Sequence, residues 1–207
     1  ARLAEADLSG AELGRADLRG TKGPGMLLKI ASLTGTNLTG GRFPGASLWR
    51  ANLLQAIVQD VDLSGTDLTE ANFHAVNLSG SNFAGATIVR ASLTETNMIG
   101  VNLSGADLTG ANLSEAKLHD ADMRGANMRK ANLPTADMTR ANLAGANFEG
   151  ANLTWSTMVD ANLSGVNFSK ADLGSADLSG ADLTGAILTG ARLCKTKMPT
   201  GMDNSDC

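Results

Sequence analysis

The 207-residue chain has no tyrosine, only five phenylalanines and two tryptophans, and a net charge of −4. So few aromatics argue against an ordinary mixed globular core. The weak acidity, with no strongly basic stretch, argues against nucleic acid as the partner. No run of eighteen apolar residues occurs, which leaves no candidate helical span and predicts no membrane insertion. There is no charged-then-apolar leader, and Ala1 falls inside a repeat, so an upstream signal or cap remains an open expectation. Disorder is excluded by a hydrophobic content of 43%. What is abundant is Ala, Leu, Gly, Asn, Asp, Ser and Thr, a bias that directs attention to a short internal period.

That period is five. Ala6-Asp7-Leu8-Ser9-Gly10, Ala106-Asp107-Leu108-Thr109-Gly110 and Ala181-Asp182-Leu183-Thr184-Gly185 show the unit. Of the 40 central slots from Leu3 to Met198, 39 hold Leu, Phe, Met, Ile or Val, and the exception is Gly23. The slot two residues earlier is nearly always small. Five residues fit neither a helix nor a continuous strand, but they do fit a short extended segment followed by a tight turn. In such a unit the centre and the small residue point inward, and the Asp or Asn between them points out.

On these residues the chain resembles the pentapeptide-repeat family, A-(D/N)-L-x-x, over about residues 1–198. The resemblance implies an all-β, right-handed quadrilateral parallel β-helix whose coil is four repeats long. About ten coils spaced by roughly 4.8 Å would make a rod on the order of 50 Å long. A 20-residue coil has internal support, since one corner is glycine from Gly25 through Gly45 and onward to Gly185. Glycine at the third turn residue predicts type II turns along that edge and other turn types elsewhere. Phe148 and Phe168, one coil apart, are expected to stack.

The repeat weakens at residues 19–30, where Gly23 empties a central slot and Met26 stands where Ala is usual. Met26 is expected to fold inward into that space, and the segment is either a protruding loop that a partner recognises or a local distortion with no role. Ile30, Trp49, Leu54 and Ile57 form either a possible partner surface or scattered surface apolar residues without a shared role. Arg50, Arg90, Lys130 and Lys170 recur along one edge with Glu70 among them. They are either a basic stripe for an acidic partner or a solvated, locally paired edge. After Met198 the chain leaves the period, and residues 199–207 read as a capping tail.

Cys194 and Cys207 are the only cysteines. The run Leu193-Cys194-Lys195-Thr196-Lys197-Met198-Pro199-Thr200-Gly201 resembles the closing segment of cyanobacterial family members, which often carry a second Cys beyond it. That resemblance implies a Cys194–Cys207 disulfide, worth roughly 3 kcal/mol in the loop-entropy account, and a periplasmic or thylakoid-lumen location. Two reduced thiols in the cytoplasm are the alternative.

No catalytic constellation emerges, and no cofactor or metal is expected. His74 and His119 fall in outward turn slots of different columns. Ten of the fifteen Asp occupy the repeat's own Asp/Asn slot, so their spacing follows from the fold. The expectation is a non-enzymatic scaffold with an unidentified protein partner, monomeric or associating end to end. The alternative is a DNA mimic acting on gyrase, a type II topoisomerase, as in the quinolone-resistance members. Dispersed acids and a tail without an apolar helix pattern weigh against it. A carbohydrate- or ice-binding solenoid would need a flat threonine ladder, which the outward columns lack.

Overall fold

The computed structural model describes residues 1–205 and 207. Single-residue parallel bridges join positions 20 apart, from Arg2 with Lys22 to Asp177 with Lys197, so each coil has four sides. Residues 20 apart therefore form columns along the rod. On each side the central and small residues are buried and the residue between them faces outward. The two inward positions make one continuous core of Leu, Ala, Phe, Met and Val. Phe148 and Phe168 stack as expected, with ring centroids 5.4 Å apart.

The backbone donors of one repeat show why the pattern holds. Asp107 N–H donates to Ala86 O in the preceding coil, and Leu108 N–H to Asn127 O in the following one. Gly110 N–H reaches Arg129 O, also in the following coil, and Ala111 N–H closes the turn on Leu108 O. The fifth donor, Thr109 N–H, is taken by the Asp107 Oδ1 side chain at 3.0 Å. An Asp or Asn in that slot thus binds the one N–H that stacking leaves over. Amides add a second contact along the column, as where Asn152 Nδ2 donates to Asn132 Oδ1 at 2.9 Å and Asn132 Nδ2 to Asn112 Oδ1 at 3.1 Å. At Thr36, Thr66, Ser81, Thr96, Ser156 and Thr196, which replace the small inward residue, the hydroxyl donates to a backbone carbonyl, as Thr36 Oγ1 does to Leu13 O at 2.7 Å.

The turns differ from expectation. Left-handed third residues were predicted along the glycine edge alone. Instead, every third turn residue from Glu5 to Lys195 has φ between 53° and 71°, whether glycine or not. A positive φ there, with the hydrogen bond closing the turn, is the type II signature on all four corners. The reason is collective. The N–H of this residue must point along the rod to the next coil, as Lys130 N–H does to Glu149 O at 3.0 Å. Neighbouring coils impose the same turn on Glu, Lys, Trp and even Ile30, against the local cost of that conformation.

Residues 19–30 do not protrude, because turns and bridges run through them without interruption. Met26 is fully buried. A Cβ on Gly23 would lie 3.1 Å from Met26 Sδ and 3.2 Å from Phe43 Cδ1, so those two side chains occupy the space of the missing one. At the other end, β1 (Thr196–Met198) pairs antiparallel with β2 (Gly201–Asp203), folding the tail beside one side of the last coil. Cys194 and Cys207 are joined by a disulfide, with Cα atoms 4.6 Å apart. Leu183, Leu188, Leu193 and Met198 are only partly buried beneath this end.

Candidate interaction surface

A rod of this kind offers its partners columns of outward side chains at fixed spacing, so each candidate residue is defined by its column. Ile30 (60% exposed) and Trp49 share one corner, where Ile30 N–H donates to Trp49 O. Arg50 covers the Trp49 ring with its guanidinium 4.7 Å from the centroid, a cation–π contact that half-buries the indole. Leu54 lies at the next corner and Ile57 on the side beyond it, stacked between Asn37 and Asn77. The structure thus joins Ile30 to Trp49 and sets Leu54 and Ile57 apart from them.

The basic edge divides into two parts. Arg50 Nε and Arg90 Nη2 both bind Glu70, from the coils on either side, at 2.5 and 2.7 Å. Hydrogen bonds from Arg90 and Arg50 hold the Glu70 carboxyl below its usual range. Among the described residues no carboxylate pairs with Lys130 or Lys170. From Arg90 onward the long side chains alternate with glycine, and each stem makes ordinary van der Waals contact over it. The Cγ atoms of Arg90, Lys130 and Lys170 lie 3.6, 3.8 and 3.7 Å from where a Cβ would stand on Gly110, Gly150 and Gly190. Each long stem leans over the glycine of the following coil.

Several of the remaining polar groups are held in local pairs. His74 Nδ1 meets Thr94 Oγ1 at 2.7 Å, and His119 Nε2 meets Asp137 Oδ2 at 2.7 Å. Asp120 binds Arg140 across one coil, and that contact lowers its pKa. Asp17 is pulled down to about 2 by hydrogen bonds from the Arg19 side chain and its N–H. Among the described residues no group of three His, Cys, Asp or Glu is arranged to hold a metal ion. A shallow groove lined by Glu115, Lys117, Thr135 and Asp137 is open to solvent and does not enclose a ligand. No helix in the described residues is long and apolar enough to cross a membrane.

Sequence reasoning passed over Trp155. It is 67% exposed at a corner with φ 61°, between Thr135 and Ser175 in its column. Its slot, the third turn residue, was the signal that it faces solvent.

The four-sided stack and its turn-capping Asp/Asn slots define a pentapeptide-type β-solenoid. The family of pentapeptide repeats matches in eight copies, over residues 1–23 and then 31–198, and the chain belongs to that family. Its members form right-handed quadrilateral β-helices and generally act as structural or interaction scaffolds. The unmatched stretch, 24–30, lies inside the weak segment 19–30. Among solved structures, the chain is similar to HetL, a protein involved in heterocyst differentiation regulation from the cyanobacterium Nostoc sp. Strain PCC 7120. Identity is 33% over 97% of this chain and 90% of HetL, with a TM-score of 0.45. It is also similar to QnrB1, a plasmid-mediated fluoroquinolone resistance protein, at 20% identity over 92% of this chain and 90% of that one, with a TM-score of 0.55. No curated protein matches the chain.

Proposed function

We propose that the chain is a non-enzymatic interaction scaffold, a rod of about ten coils over residues 1–198 with 199–207 as its closing tail, that binds a protein partner on a side face. One observation carries this reading. The backbone donors and the Asp/Asn side chains are consumed by the fold, leaving a rigid surface that varies from column to column only in chemistry. The disulfide supports an oxidising compartment, a periplasm or thylakoid lumen.

A DNA mimic needs a continuous acidic surface. Here many carboxylates are held in turn caps or in ion pairs such as Asp120–Arg140 and Asp172–Arg192, which weighs against that alternative. The likeness to QnrB1 concerns the fold.

Cross-linking with mass spectrometry, on the protein in its native compartment, tests the reading. Cross-links to one protein concentrated on one side face are expected, whereas scattered cross-links without a recurring partner would count against a scaffold. In a parallel supercoiling assay, protection of gyrase from a quinolone would replace this reading with DNA mimicry.

A further inference from the structure

We infer that the column Arg2–Lys22–Arg42 is a docking face for a short acidic polypeptide segment. The inference rests on the scaffold reading and names the surface and the chemistry of its partner. These three cations occupy the Asp/Asn slot of consecutive coils on one side and are bridged pairwise, Arg2 with Lys22 and Lys22 with Arg42. All three are exposed, and none has an ion pair among the described residues. Like charges placed directly opposite one another on paired strands are destabilising. Elsewhere columns mostly pair opposite charges across one coil, as at Arg50–Glu70–Arg90, Asp120–Arg140, Asp172–Arg192 and Asp177–Lys197. The other like-charged neighbours in a column are Glu95 and Glu115.

The fold does not require cations here, and proline shows why. An Asp or Asn in this slot serves to cap the N–H two residues on. After Lys22 and Arg42 those positions are Pro24 and Pro44, which have no N–H to cap. Three of the four prolines follow a basic residue at this spacing, the third being Pro199 after Lys197. Lys197 binds Asp177 at 3.0 Å, whereas among the described residues neither Lys22 nor Arg42 forms an ion pair, although Asp62 is bridged to Arg42. Two slots are thus released from their structural task and filled with unpaired charge. The rims beside Lys22 and Arg42 are Gly20 and Gly40 on one side and Pro24-Gly25 and Pro44-Gly45 on the other, and the one long side chain there is Glu5, whose stem lies against Gly25 beside Arg2.

The extent of the patch selects the partner. Three cations at the inter-strand spacing span about 10 Å. The next residue in the column is Asp62, with Asp122 and Asp182 farther along the same face. The flanking sides carry Asp7 and Asp17. A nucleic acid duplex, whether laid along the rod or across it, would meet these carboxylates. Two or three carboxylates on an extended peptide, about 7 Å apart on one edge, match the patch and stop where it stops.

The test is fluorescence anisotropy of a labelled hexaglutamate peptide against the full chain at about 50 mM salt, with loss of binding by about 300 mM as the charge signature. Wild type is expected to bind, and K22N/R42N to bind at least about tenfold more weakly, with R2N intermediate and K130N/K170N unchanged. K22N/R42N should also melt at or above the wild-type temperature, because it relieves like-charge stacking. Equal binding by wild type and K22N/R42N would overturn the inference. So would tighter binding of a short DNA duplex, or a lowered melting temperature that makes the column a fold element. If the peptide fails while cross-links gather on another face, the scaffold reading stands and this surface alone is withdrawn.

Discussion

The first coils and the middle of the rod obey the same geometry with different chemistry. Around residues 100–170 the outward slots carry Asn and Asp that cap turns and run in amide ladders, above a core of Leu, Met and Phe with Ala. In the first coils Gly23 leaves the core to Met26 and Phe43, the turns take Pro24 and Pro44, and the outward slots of one side hold Arg2, Lys22 and Arg42. The backbone bridges are indifferent to this change. The lesson is that a coil needs its core filled and its five donors provided for, and that more than one set of residues meets both conditions. Where proline removes a donor, a surface slot becomes free to carry something else.

The largest expected effect lies in the core. Met26→Ala should cost about 2–5 kcal/mol in denaturant unfolding, since it empties space that Gly23 cannot fill. Leu133→Ala in the middle should cost a similar amount. The regions part company on rescue. G23L/M26A restores the ordinary repeat and should recover most of the loss, and failure to do so would assign the vacated space to Phe43.

Reduction of Cys194–Cys207, or the C194S/C207S variant, should cost roughly 3 kcal/mol for a loop of this size. Hydrogen exchange should localise the loosening to the last coil and leave residues 100–170 protected. Uniform loosening would contradict the near-neighbour character of the stack.

The slot comparison comes next. Asn132→Ala removes ladder bonds to Asn112, Ser114 and Asn152 and should cost about 1–2 kcal/mol, while Arg42→Asn should cost nothing measurable by thermal melting. Ile30→Gly should stabilise by about 1 kcal/mol, because a β-branched residue there is held left-handed at φ 58°. A loss of stability would mean that its contact beside Trp49 outweighs the backbone relief.

The smallest effect is the acid limb. Asp7, Asp17 and Asp182 are depressed mainly by side-chain hydrogen bonds from Ser9, Arg19 and Thr184. A carboxyl lowered in the folded state stabilises above its unfolded pKa, near 4, and that stability is lost as pH falls toward the folded value. For Asp17 the folded value is about 2. Denaturation midpoints should therefore fall between about pH 4 and pH 2, and D17N should flatten that slope slightly.

Much of this was legible beforehand because the repeat writes the same instruction in every coil. The inward slots, the 20-residue column and the Phe148–Phe168 stack follow from period and glycine spacing. The corners were misread because propensity was applied residue by residue, while the turn at Lys130 or Trp155 is dictated by the coil above it. Trp49 read as part of an apolar group, yet the side chain that meets it is Arg50. The cation column went unnoticed because Arg2, Lys22 and Arg42 lie far apart along the chain and fall beside one another only once the coils are stacked.

By itself the sequence determined the coil, the core and the face on which each side chain stands, since a strict period leaves one way to bury its apolar slots. Tertiary structure alone decided the left-handed turns at non-glycine corners, the pairing of Glu70 with two arginines and the filling of Gly23's space. Each of these depends on which atoms from different coils come within reach, and the pattern of a single repeat cannot carry that information.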